Sequence, residues 1–223
     1  MAAVVPLICW STVCGRGGAR DHAIDPLGEA FDSRHGVDTT GIISLSALSI
    51  ADPNWVYGLD YQPVEVFDFA SLFAELAVDL PKTVFLDLGA GKGRAVLLAS
   101  QLPFKQVVGV EISPELASIA RSNVEKFARF KISDLQTEIV CSDVADIQVP
   151  LEPLVVYVYN PFTVPIMEQV IDNLINSVTQ QPRRILVIYF RPELAEMWDY
   201  VAPFSLLRST PRYRVYESQF AKG

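Results

Sequence analysis

The chain has 223 residues, half of them hydrophobic, and a formal net charge of −8 with a pI near 4.8. That length and apolar content suit one enzyme-sized domain with an N-terminal extension. The acidity removes any general attraction to a phosphate backbone or an anionic membrane, which argues against nucleic acid and lipid as partners.

Met1 to Gly15 is apolar but has no basic start and no small-x-small cleavage signal. It is too short to span a bilayer, so neither a signal peptide nor an anchor is expected. Cys14-Gly-Arg-Gly-Gly-Ala-Arg20 reads as a flexible lead-in, which puts Met1 to Arg20 largely outside the fold. Cys9, Cys14 and Cys141, with His22 and His35 as the only histidines, make no metal pattern. No metal site is expected, and reduced thiols in a cytoplasmic protein are. The run from Phe31 to Gly41 is polar and turn-rich, and reads either as a lid or acceptor loop or as a connector held by Asx and Thr turns. Gly58-Leu-Asp-Tyr61-Gln-Pro63-Val-Glu65 then opens a helix predicted over Val64 to Leu80 and stopped by Pro81.

A strand is predicted over Thr83 to Leu88, where Val84, Phe85, Leu86 and Leu88 are apolar, as in a parallel strand covered on both faces. Asp87 stands near its carboxyl end. Gly89, Gly91 and Gly93 follow, and their spacing lets the backbone turn tightly and approach a ligand before a helix predicted over Lys92 to Gln101. A dinucleotide fingerprint begun at Gly89 would need a small residue where Arg94 stands. A phosphate-cradling P-loop would need glycine in place of Leu86 and a hydroxyl in place of Gly93. What remains is Asp-x-Gly-x-Gly-x-Gly. The next strand, Gln106 to Val110, runs into Glu111, about 20 residues past the glycine turn, where doubly wound nucleotide folds place the acid that grips ribose hydroxyls. Its alternative role is that of an acid opening the helix at Ser113-Pro114.

Further elements are predicted as a helix over Pro114 to Phe130, a strand over Thr137 to Cys141 leading to Asp143, and a strand over Leu154 to Tyr159 leading to Asn160-Pro161-Phe162. A helix over Val164 to Thr179, a strand over Arg184 to Tyr189 and a short helix over Glu193 to Trp198 follow. The last two runs, Phe204 to Arg208 and Tyr213 to Ser218, flank Ser209-Thr-Pro-Arg212, a hairpin signal. Arg183-Arg184 and the arginines from Arg208 to Arg214 are short and interrupted, as solvated strand edges are.

The glycine motif and this order of elements resemble class I S-adenosylmethionine-dependent methyltransferases from Tyr61 to the C-terminus. The resemblance implies a doubly wound, mostly parallel seven-stranded sheet in the order 3-2-1-4-5-7-6, closed by an antiparallel hairpin. It divides the chain into an extension and lid over 1–60 and a cofactor-binding domain over 61–223. It implies S-adenosylmethionine as cofactor, with Gly89, Gly91 and Gly93 under its methionine and ribose portions. Asp87 would place the amino-acid part, Glu111 the ribose and Asp143 the adenine amino group. Asn160, Pro161 and Phe162 would stand at the acceptor edge as catalytic candidates. They look similar to the Asn/Asp-Pro-Pro-aromatic tetrad of amino-methylating nucleic-acid and glutamine methyltransferases, but one proline is missing, so base or planar-amide recognition does not carry over. A strand simply broken by an Asn-Pro turn is the plainer alternative for them. Tyr61-x-Pro63 resembles the aromatic-x-Pro-x-x element of seven-strand protein-lysine methyltransferases, which closes over the cofactor; here Val64 replaces the usual hydroxyl residue. The Asp-x-x-x-Gly-Val-Asp-Thr run is similar to one in bacterial methyltransferase-like proteins.

The expected activity is methyl transfer to a nitrogen nucleophile, a protein lysine first and a small amine second, with nucleic acid last. Such a reaction needs alignment of an acceptor lone pair and exclusion of water rather than a catalytic triad. An NAD(P)-binding oxidoreductase, an aminopropyl transferase on the same fold, and a non-catalytic cofactor-binding module are the alternatives.

Overall fold

A computed structural model of the chain describes residues 25–66 and 68–219; the apolar start and the glycine-rich lead-in lie outside the described residues. Seven strands, β1 (Val84–Leu88), β2 (Gln106–Glu111), β3 (Gln136–Cys141), β4 (Leu154–Tyr159), β5 (Ile185–Phe190), β6 (Phe204–Ser209) and β7 (Tyr213–Ser218), form one sheet in the order β3-β2-β1-β4-β5-β7-β6. The first five are parallel, and β7 pairs antiparallel with both β5 and β6. This is the order the resemblance implied.

The helices are α1 (Pro26–His35), α2 (Phe69–Glu75), α3 (Arg94–Ser100), α4 (Pro114–Phe127) and α5 (Val164–Gln180). Successive strand side chains point to opposite faces, so two cores form. Phe85, Val155, Tyr157, Leu186 and Ile188 pack with α2, α3 and α4 on one face. Val84, Leu86, Leu88, Val156, Val158 and Val187 pack with α5 on the other. Because both faces are covered, β1 and β5 are buried at every residue, which explains why they are apolar throughout except at Asp87. Phe85, wholly buried, stabilises the sheet by roughly 1.5–3 kcal/mol through area removed from water alone. Among the described residues no helix is long and apolar enough to cross a membrane.

Two helical expectations change, and one helix forms where none was expected. The helix expected over Val64 to Leu80 contracts to α2, because Asp68 caps it with its carboxylate on the Ser71 amide at 3.1 Å. The chain from Gln62 to Val66 forms no regular element. The helix expected at Glu193 to Trp198 is a single 3-10 turn, Ala195–Met197. Conversely, half of the polar run at Phe31 to Gly41 is helical: Asp25 caps α1 through the Gly28 amide at 2.9 Å, and Gly36 ends it in the left-handed region. The remainder is a tethered connector, with the Asp32 carboxylate accepting from the Thr39 amide at 2.7 Å and the Thr40 amide at 2.9 Å. From there the chain crosses the carboxyl ends of the strands as a strap. Ile43 bridges Tyr61, a 3-10 turn spans Pro53–Tyr57, and Gly58 bridges Phe162.

Candidate active site

β2 and β4 flank β1 on opposite sides, which makes the end of β1 the switch point of the sheet, where open α/β folds bind ligands. A cavity of about 840 Å³ opens there, within the size range of small-molecule sites. The glycine turn forms one wall. Gly89 and Gly91 adopt φ of 81° and 55°, a left-handed backbone that other residues rarely take. The Gly89 and Ala90 amides donate to the Val110 carbonyl at 3.0 and 2.9 Å, which binds the turn to β2. Glu111 completes the tie: Oε2 accepts from the Gly91 amide at 2.7 Å and Oε1 from the Ser113 amide at 2.9 Å.

Asp87, Glu111 and Asp143 leave the ends of β1, β2 and β3 and all line the cavity. Burial, reinforced by the nearby Glu111 charge, pushes the Asp87 carboxyl up to about 8. Its oxygens accept no hydrogen bond from the described residues. Glu111 is raised by burial as well, with the Ser113, Gly91 and Ile112 amides pulling it back. Both oxygens of Asp143 are held by the chain: Oδ1 accepts from the Ala145 amide at 2.9 Å and Oδ2 from Asn54 Nδ2 at 2.6 Å. Tyr61 lies across the glycine turn. A Cβ at Gly91 would stand 2.2 Å from its ring, so an aromatic ring occupies the space that sequence reasoning gave to a ligand there. Its hydroxyl donates to the Thr39 carbonyl at 2.6 Å, and burial holds the phenol far above its ordinary pKa.

The opposite wall carries Asn160, Pro161 and Phe162. Asn160 has φ 44°. Its Oδ1 accepts from the Tyr189 hydroxyl at 2.9 Å, and that hydroxyl itself accepts from the Leu194 amide at 3.3 Å. The hydroxyl's one proton is therefore committed to Asn160, which fixes the amide orientation. Pro161 packs on Gly89, where a Cβ would stand 2.5 Å away. The Pro161 carbonyl accepts from the Leu59 amide at 2.9 Å, and the Thr163 amide donates to the Tyr57 carbonyl at 2.7 Å. The strap and the acceptor edge are thus zipped together. Arg191 flanks this edge with its guanidinium 5.7 Å from the Tyr159 ring centre and Nη1 donating to Gln62 Oε1 at 2.8 Å.

Of the residues singled out from sequence, Gly93 alone lies off the cavity wall; it caps α3 and is backed by Ala120 of α4. Sequence reasoning missed Arg94 and Asn54, which line the cavity, and Lys92, which ties the connector to the glycine turn. Arg94, 2% exposed, pairs with Asp25 at 2.5 Å and donates to Thr39 Oγ1 at 2.7 Å and to the Val64 carbonyl at 2.8 Å. It pins α1 and the connector to the glycine turn. Lys92 Nζ does the same through Asp38 at 2.7 Å and the Thr40 carbonyl at 2.8 Å. The only local signal was two cations in an otherwise apolar strand-turn-helix segment.

A family model described as a methyltransferase domain matches residues 85–180, the stretch that supplies the glycine turn, the three acids and the acceptor edge. Over that stretch the sequence matches a methyltransferase domain, and the sheet around it has the strand order of the class I methyltransferase fold. The cofactor of that class is S-adenosylmethionine. Structures similar to this methyltransferase domain include the Escherichia coli protein yhhF, described as a candidate methyltransferase, at 19% identity and a TM-score of 0.54, covering 81% of this chain and 100% of that one. An S-adenosylmethionine-dependent methyltransferase from Aquifex aeolicus matches at 17% identity and a TM-score of 0.51, over 68% of this chain and 89% of that one. At such identities the likeness is one of fold. In sequence, 58 residues are 45% identical to the release factor glutamine methyltransferase of Vibrio cholerae, so the chain spans 20% of the length of that curated relative. The cavity of the methyltransferase domain fits S-adenosylmethionine in its chemistry: the buried Asp87 carboxylate lacks the cationic partner that an amino-acid ammonium would provide.

Proposed function

We propose that this chain transfers the methyl group of S-adenosylmethionine to a nitrogen nucleophile, a protein lysine or a small amine. The observation that carries the reading is the charge of the cavity. Asp60, Asp87, Glu111, Asp143 and Glu193 line it against Arg94 and Arg191, and Arg94 is already paired with Asp25. A sulfonium and an ammonium both gain from such a surround. In this reading Gly89 and Gly91 form the cradle and Gly93 sets the start of α3. Asp87 takes the ammonium, Glu111 the ribose hydroxyls, Asp143 supports the purine end, and Tyr61 closes over the turn. Within the extension over 1–60 the strap supplies the cover, and 61–223 is the catalytic domain.

When bound, the cofactor supplies an already activated methyl group, so the protein's task is alignment and exclusion of water. The strap does the excluding, and Asn160, Pro161 and Phe162 hold the acceptor in line. Asn160 Oδ1 already accepts from Tyr189 and the Pro161 carbonyl from Leu59. Each of the two acceptors that would grip a planar amino group thus already carries one partner, which favours an aliphatic amine over a base or an amide.

Two measurements test this. Calorimetry should show binding of S-adenosylmethionine and S-adenosylhomocysteine but not of NAD; binding of NAD alone would restore the oxidoreductase alternative. Incubation with methyl-labelled cofactor and cell extract, followed by fractionation, should place label in protein first and small amines second. Label mainly in nucleic acid would overturn the acceptor ranking.

A further inference from the structure

We propose that Asn54, held by Asp143, is the residue that reads the exocyclic amino group of the cofactor's purine. The proposal rests on the cavity being an S-adenosylmethionine site. Asp143 holds the strap as well as its own turn, since one oxygen takes the Ala145 amide at 2.9 Å and the other the Asn54 carboxamide at 2.6 Å. A carboxylate only accepts, so Asn54 must turn its NH2 towards Asp143. That anchors the amide plane and leaves Asn54 Oδ1 as an acceptor that takes no hydrogen bond from the described residues.

The backbone of Asn54 is fixed as well. Its amide donates to Asp52 Oδ1 at 2.9 Å, and the 3-10 turn that carries it continues into the Gly58 bridge to Phe162. Asn54 lines the cavity together with Ile112, Leu116, Val144 and Trp55, an apolar group suited to a flat ring. An oriented acceptor beside an apolar slot favours a ring bearing an amino group. It disfavours a ring bearing an oxo group, whose lone pairs would face its own. Asn54 lies outside the stretch matched by the family model, which begins at residue 85, so the selectivity belongs to this chain's strap.

The test uses the full chain, with calorimetric affinities for S-adenosylhomocysteine and for its deaminated analogue S-inosylhomocysteine. The native chain should prefer the amino purine by about tenfold or more, the scale of one mispaired acceptor. In Asn54→Ala the preference should collapse to within about threefold, mainly through weaker binding of the amino form. Asp143→Ala, which removes the acceptor that holds the Asn54 NH2, should erode the preference without adding or removing an acceptor at position 54. An equal loss for both nucleosides in Asn54→Ala would make Asn54 a prop for the strap and overturn the proposal. Tighter binding in that variant would make it a plug in the purine's place and overturn the proposal equally. A native chain that binds neither nucleoside would overturn the cofactor reading itself; one that binds both equally would overturn the role of Asn54 alone.

Discussion

Glu111 Oε2 accepts the Gly91 amide proton at 2.7 Å, so a buried carboxylate at the end of β2 sets the shape of the turn that follows β1. With Oε1 on the Ser113 amide, the same side chain also ties down the start of α4. Glu111→Ala therefore removes a brace together with the proposed ribose acceptor. The expected outcome is a loss of about 1.5–3 kcal/mol in S-adenosylhomocysteine affinity, the scale of hydrogen bonds to a charged group, accompanied by a lower Tm. Normal binding by this variant in calorimetry would show that the ribose lies elsewhere.

Gly91 and Tyr61 form the second coupled pair. A side chain at position 91 meets the Tyr61 ring at 2.2 Å and inherits a φ of 55°, so Gly91→Val should expel the tyrosine and strain the turn. Cofactor affinity should fall at least as far as in Glu111→Ala, with backbone strain of about 1–2 kcal/mol added to the stability loss. Making Gly91→Ala in a Tyr61→Ala background tests the cause. Part of the stability deficit should return when the ring is absent; an unchanged deficit would assign it to backbone strain alone.

The sheet was legible because its signals are local. β1 and β5 are apolar at nearly every position, and the glycine turn follows β1 without a gap. The candidate wall followed from the same fact, since acids at the ends of β1, β2 and β3 must share one edge of a parallel sheet. A cover over 1–60 was expected, but the contacts that seat the strap were not legible. Its partners are distant in sequence: Asn54 with Asp143, Asp38 with Lys92, Thr39 with Arg94. No periodicity encodes such pairs. α1 escaped for a related reason, because its buried Phe31 and His35 find their partner in Phe127 at ring distances of 5.7 and 4.9 Å, far from the local pattern. Its caps, Asp25 before Pro26 and Gly36 after His35, were present in the sequence.

Asp87 sets a pH dependence. Its carboxyl is raised from 3.8 to about 8 by burial and by Glu111. Across that window the folded chain holds a proton that the unfolded chain has released, so this group costs stability progressively as pH rises, fully so above about 8. Asp87→Asn should remove that slope, and its advantage in Tm over the native chain should grow from acid to alkaline pH. Ligand binding has the opposite sign: a cationic group placed against Asp87 favours the ionised form. S-adenosylhomocysteine affinity should therefore rise with pH up to about 8, with proton release detectable by calorimetry in buffers of different ionisation enthalpy. Equal heats in all buffers at neutral pH would place the ammonium away from Asp87.

The acceptor edge allows side chain and backbone to be separated. Asn160 holds a φ of 44° while its Oδ1 accepts from the Tyr189 hydroxyl at 2.9 Å. Asparagine tolerates that conformation and glycine prefers it, whereas alanine is strained there. Asn160→Gly thus deletes the amide and keeps the turn, and Asn160→Ala deletes the amide and stresses it. If the amide acts on the acceptor, both variants should lower kcat far more than cofactor affinity, because an acceptor contact counts mainly in the transition state. Tyr189→Phe leaves the amide in place but unoriented, and should lower kcat by roughly tenfold, the worth of one oriented hydrogen bond, with cofactor Kd unchanged. Retained turnover in Asn160→Gly would reduce the Asn-Pro-Phe edge to a turn. Parallel losses of affinity and turnover in all three variants would move Asn160 into the cofactor's own contacts.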